Sequence, residues 1–201
     1  MRQWLRQPAA WWLMLLAGLL PLAWLVGLTV LDQLGANPTE FLTRATGDWT
    51  LRSLCVVLAV TPLRTALAWP ELARFRRLLG LLTYGYAMLH LACYALFDMG
   101  LDLADIWVDI PKRPFILVGF VAWLLLSAMA LTSFNRAIRA LGARRWQMLH
   151  RSVYAVAVLA VLHFAWMRAG KNDFNEVFVY AAVLALLLAW RLGRWARQAR
   201  R

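Results

Sequence analysis

The chain has 201 residues, of which 63% are hydrophobic and only 16% charged. Soluble domains run at about 45–50% apolar and about 25% charged, so this composition excludes a water-soluble globule. The formal net charge of +12 invites a nucleic-acid partner, but the placement of the charges argues against one.

A membrane-spanning helix needs roughly 20 mostly apolar residues. Six such runs predict spans at about 9–31, 51–69, 78–97, 115–134, 147–167 and 174–190. The predicted fold is therefore all-α: one domain over 1–201, a polytopic membrane protein built as a six-transmembrane-helix bundle. Arg2 and Arg6 before the first run resemble the start of a signal peptide. That run is too long for the usual 7–15-residue apolar core and no A-x-A-like site follows, so it is expected to stay as the first helix. Cys55 and Cys93 fall in the second and third runs without any CxxC spacing, which fits small polarizable packing residues.

Turn residues separate the runs. Gly35 to Pro38 follows the first, Pro111 to Pro114 precedes the fourth, Gly142 divides the fourth from the fifth, and Gly170 to Asp173 joins the last two. The 98–114 connection has room for a short interfacial helix. Asp98, Asp102, Asp105 and Asp109 lie there at spacings of four, three and four, which on one helix would make an acidic face able to dock a basic external partner. Trp4, Trp11, Trp49, Trp69, Trp107, Trp146, Trp190 and Trp195 are expected at span ends, as in an aromatic belt.

With the N-terminus inside, segments 1–8, 64–77, 135–151 and 191–201 hold 16 of the 22 Lys and Arg, and Glu71 is their only acid. The positive-inside rule then puts both termini in the cytoplasm. The bilayer, with its anionic headgroups, is the partner this charge implies; nucleic acid is not.

All three histidines lie in or at the edge of spans: His90 in the third, His150 at the start of the fifth and His163 later in the fifth. Ionisable groups at membrane depth mark functional sites. His90 is 12 residues beyond Leu78 and His163 is 11 beyond Ser152, so at about 1.5 Å per residue the two reach similar depth. Two imidazoles at one depth suit the axial positions of a haem held between helices 3 and 5. His150 lies 13 residues before His163, about 20 Å lower and some 140° around a straight helix. Sharing a face would require a π-bulge; otherwise a second haem is approached from another azimuth. Arg76 and Arg77 stand at the inner end of the third span, where guanidinium groups suit haem propionates.

These residues carry a resemblance. RRLLG at 76–80, LHLACY at 89–94, Thr132-Ser133, WQMLHRSVY at 146–154 and Leu162-His163 resemble the ferric reductase and NADPH oxidase membrane domain. More narrowly, they are similar to the MsrQ (YedZ) family, haem-binding membrane subunits of bacterial protein-methionine-sulfoxide reductase. The resemblance implies an inner-membrane electron-transfer subunit with one or two b-type haems, iron ligands among His90, His150 and His163, and FMN as a further cofactor. It also implies a quinone-pool or cytoplasmic flavin reductase donor and a periplasmic molybdenum-containing methionine-sulfoxide reductase acceptor. The wider superfamily uses four haem-ligating histidines, whereas this chain has three. No GxGxxG or P-loop signature occurs, so the donor is expected on another molecule. Three alternatives remain open on the residues alone: a transmembrane ferric reductase of the same superfamily, a proton channel or transporter using a histidine relay, and a scaffold with no cofactor.

Overall fold

A computed structural model describes residues 2–170 and 172–199. Its elements are helical throughout: α1 (Pro8–Val30), α2 (Pro38–Ala66), α3 (Arg76–Cys93), α4 (Leu103–Lys112), α5 (Pro114–Leu131), α6 (Asn135–His150), α7 (Val153–Ala169) and α8 (Asn175–Ala199). Short 3-10 turns cover Arg2–Arg6 and Pro70–Phe75, and α3 runs on as a π-helix over Tyr94–Asp98. Five helical stretches are long and apolar enough to cross a membrane: Pro8–Val30, Pro70–Asp98, Pro114–Leu131, Asn135–Ala169 and Asn175–Ala199. Leu20, Val30 and Leu186 on them are 65%, 78% and 72% exposed, as expected of side chains that meet lipid, since a helix satisfies its backbone internally.

The second predicted span proves to be the later part of a longer helix. The reason is chemical: Asn37 accepts from the Glu40 amide and Pro38 occupies the first turn, a cap that starts the helix ahead of the apolar run. Glu40, Arg44, Asp48 and Arg52 then lie along its first half, and α2 is not among the five stretches above. Trp49 consequently sits inside a helix and packs on Tyr86, ring centroids 6.3 Å apart, rather than anchoring a span end.

The chain divides into two compact units, one running to Asp102 and the other starting at Leu103. In the first, α2 and α3 pair closely and α1 lies against both. Ala10, Val60, Phe75 and Leu79 form its buried cluster at the N-terminal end of α3. Tyr86 donates its hydroxyl to the Gly18 carbonyl at 2.7 Å, and Arg6 pairs with Glu71 at 2.8 Å. Thr46, Thr50 and Thr83 return their hydroxyls to carbonyls four residues earlier, which satisfies those hydroxyls within their own helices.

In the second unit α5 pairs with α7, α4 and α6 lean on α5, and α8 lies against α7. Val156 and Ala157 are 1% exposed and Leu184 2%; the small Ala157 allows close helix approach. α6 is kinked at Gly142, whose φ of 73° only glycine adopts without strain. The fifth predicted span falls within the stretch Asn135–Ala169; a two-residue turn separates α6, ending at His150, from α7, beginning at Val153, and Arg151 and Ser152 keep right-handed helical dihedrals. No π-bulge lies there among the described residues; the π segment terminates α3 instead. α8 continues past the predicted end at 190, and Arg191 donates to the Tyr154 hydroxyl at 2.7 Å.

The acidic ridge is also redrawn. Gly100 and Leu101 adopt φ of 56° and 64°, which ends helical structure before Asp102. Asp105 and Asp109 ride on α4, while Asp98 and Asp102 belong to the first unit. The four carboxylates do not share one helix face, and Asp109 is paired with Arg113.

Candidate functional site

His90 projects from α3 onto α2. Its Nδ1 lies 2.9 Å from the Thr43 carbonyl oxygen. A carbonyl only accepts, so Nδ1 carries the proton and the lone pair resides on Nε2. The ring lies over Gly47: a Cβ there would stand 3.0 Å from Cε1 and 3.2 Å from Nδ1. Thr43 and Gly47 are four apart, so the carbonyl that receives the imidazole is the one that already accepts the glycine amide within the helix. A side chain at position 47 would flank that oxygen. Glycine leaves the lateral approach open.

His163 repeats this construction in the other unit. It projects from α7 onto α5, with Nδ1 2.6 Å from the Phe115 carbonyl, and a Cβ on Gly119 would lie 2.8 Å from Nδ1 and 2.9 Å from Cε1. Phe115 and Gly119 are again four apart. Histidine and carbonyl are separated by 47 positions in the first case and 48 in the second. The Phe115 ring adds a tilted contact at 6.2 Å. Both imidazoles are thus fixed by a carbonyl through Nδ1, with Nε2 as the basic nitrogen. That is the state a haem ligand needs, and donation from the other ring nitrogen fixes its orientation and raises its basicity.

His150 is held differently. It stacks on Trp146 at 4.0 Å with 27° between planes, and its Nε2 lies 3.2 Å from the Thr132 hydroxyl. That hydroxyl donates to the Ala128 carbonyl at 2.7 Å, so it accepts from Nε2–H and the lone pair falls on Nδ1. Trp146 Nε1 donates to the Thr132 carbonyl at 3.0 Å. Arg76 begins α3 and donates to the Thr61 hydroxyl on α2 at 2.8 Å; Arg77 beside it is exposed. Among the described residues no group of three or more His, Cys, Asp or Glu gathers to hold a metal ion.

The histidines are visible in the sequence; their supports are not. Thr43 and Phe115 act through backbone oxygens that any residue carries. Gly47 and Gly119 give a faint signal, since glycine inside a helix costs about 1 kcal/mol relative to alanine and so asks for a reason.

Residues 46–161 match the family model described as ferric reductase like transmembrane component. Relatives named protein-methionine-sulfoxide reductase heme-binding subunit MsrQ align over most of the chain. The relative from Polaromonas naphthalenivorans is 62% identical over 201 residues, covering all of this chain and 92% of its own length. That from Bordetella pertussis is 50% identical over 186 residues, 92% of this chain and 90% of its own. That from Xanthomonas campestris is 46% identical over 166 residues, 83% and 74% respectively. The chain belongs to the MsrQ family, within the ferric reductase-like transmembrane proteins. No solved structure matches it. As a member of a transmembrane family with several apolar spanning helices, this MsrQ-family chain is a multi-pass membrane protein. The matched region takes in His90, His150, Gly47 and Gly119 and ends two residues before His163.

Proposed function

We propose that this chain is the membrane electron-transfer subunit of a protein-methionine-sulfoxide reductase. It would hold b-type haem between the third and fifth of six spans, with His90 and His163 as axial ligands. Electrons would enter on the cytoplasmic side, from the quinone pool or a flavin reductase, and leave to a periplasmic molybdenum-containing catalytic subunit. The observation that carries this reading is the pair of like-built cradles, each presenting Nε2 as the basic nitrogen. Both imidazoles come from helices whose apolar walls suit a macrocycle.

When bound, haem supplies one-electron exchange at its iron. The protein's part is to hold both imidazoles neutral and oriented and to keep water from the site. The geometry argues against a proton relay, in which a histidine takes a proton on one nitrogen and releases another from the second. Here Nδ1 faces a carbonyl oxygen, which has no proton to exchange. His150 would serve a second haem through Nδ1, or through Nε2 after release of Thr132. Arg76 and Arg77 would favour an anionic propionate or an incoming electron at that inner level. FMN rests on the family resemblance alone.

The purified protein in detergent tests the central claim. Sharp reduced b-haem bands are expected; a featureless visible spectrum would leave the relay or the scaffold. Vesicles with donor and acceptor on opposite faces test direction, and acceptor reduction confined to the cytoplasmic face would reverse the route.

Topology is the second expectation, motivated by the 16 basic residues in the inner segments. A reporter active only in the cytoplasm should work at the C-terminus and fail at Asp102. A silent C-terminal fusion with an active one at Asp102 would invert the map.

A further inference from the structure

Eleven glycines occur in the chain, and two of them do something the others do not. A Cβ on Gly80 or Gly85, both inside α3, would meet nothing within 4 Å. A Cβ on Gly47 or Gly119 would strike a histidine ring, at 3.0 Å and 2.8 Å respectively. In each case that ring donates Nδ1–H to the carbonyl four residues before the glycine, at 2.9 Å and 2.6 Å. Recurrence in two helix pairs, with the same spacing, carries more weight than either contact alone.

We propose that Gly47 and Gly119 are positioning residues that set the electron-donating strength of the two histidines, and so hold the reduction potential of the bound haem low. This rests on the haem-ligation reading above and goes beyond it. An imidazole that donates Nδ1–H to a good acceptor gains imidazolate character, which makes Nε2 a stronger donor to iron. Stronger donation favours ferric over ferrous iron and lowers the potential. The bond forms while the Nδ1–Cε1 edge of the ring rests close against the glycine. A methyl at either glycine lifts the ring, lengthens Nδ1–H···O and turns the imidazole plane. The orphaned carbonyl keeps its helical amide, so the helix itself survives.

The effect should be graded. Gly119 has the nearer contact and serves the shorter hydrogen bond, so Gly119→Ala should act more strongly than Gly47→Ala. Gly85→Ala is the control, being another helix-interior glycine whose new methyl touches nothing.

The experiment is a redox titration and a low-temperature electron paramagnetic resonance spectrum of full-length protein purified with haem. Gly119→Ala should raise the midpoint potential and shift the low-spin g values, which report the imidazole planes. Gly47→Ala should do the same to a lesser degree, and Gly85→Ala should match wild type. A merely structural role would lower thermal stability without moving potential or g values. Unchanged potential and g values in both Gly47→Ala and Gly119→Ala, with haem retained, would overturn the proposal. So would an equal shift in Gly85→Ala. If Gly119→Ala fails to assemble, Gly47→Ala alone decides by the same two readouts. Failure of the haem-ligation reading looks different: His90→Ala and His163→Ala would then keep their full haem content, whatever the glycine variants do.

Discussion

Replacing His163 or His90 with alanine is expected to remove most of the low-spin haem signal, while His150→Ala leaves that signal largely in place. On the proposed ligation each of the first two changes would remove a side chain that holds the iron, and each also strips the Phe115 or Thr43 carbonyl of its imidazole donor. Loss of an outer-shell partner alone costs about 10–100-fold in metal affinity, so loss of the ligand should reduce retained haem by at least about tenfold. The helices should persist, because the pairing of α2 with α3 and of α5 with α7 rests on many apolar contacts besides the histidine. Haem per polypeptide, measured as the pyridine complex, reads the result. Full retention in both variants would remove the assigned ligand pair, and loss only in His150→Ala would move the site to the inner level.

The histidines stood out in the sequence because an ionisable group inside an apolar run has few bland explanations. The rest of their site lay beyond reach for a definite reason. Backbone carbonyls have no sequence identity, and a glycine records only that something is close, not what. Gly47 and Gly119 acquire meaning when a second helix, more than 40 residues on, lays an imidazole over them. The start of α2 was legible in principle: Asn37, Pro38 and Glu40 spell a helix cap. Reading spans by apolar run alone passes over it, because the first half of that helix is polar. The split of the acidic ridge had its own signal in Gly100, which sits between Asp98 and Asp102 and takes a positive φ. The short turn after His150 had none as clear, since Arg151 and Ser152 keep right-handed helical dihedrals and the stretch runs on to Ala169. His150 itself was visible, but its stacking on Trp146 and its bond to Thr132 depend on how α6 folds back against the end of α5.

Phe75→Ala is expected to destabilise the protein by about 3–5 kcal/mol, the cost of emptying a phenylalanine-sized volume in a packed interior, without changing the haem spectrum. Phe75 is 2% exposed and lies with Ala10, Val60 and Leu79 where α1 and α2 meet the start of α3. In lipid the transfer of apolar surface from water contributes little to helix association, so packing carries more of the stability. The loss falls at one end of α3. His90 sits 14 residues along that helix from Arg76, about 21 Å away at 1.5 Å per residue, and its cradle is built from Thr43 and Gly47 near the start of α2. Thermal unfolding in detergent should therefore shift strongly downward while reduced haem bands, g values and midpoint potential stay as in wild type. The two classes of variant separate by this test: the proposed ligand and cradle positions should move the haem signals, and Phe75 should move stability alone. A changed potential in Phe75→Ala below its unfolding temperature would mean that the start of α3 is coupled to the histidine cradle, and that the independence argued from their separation does not hold.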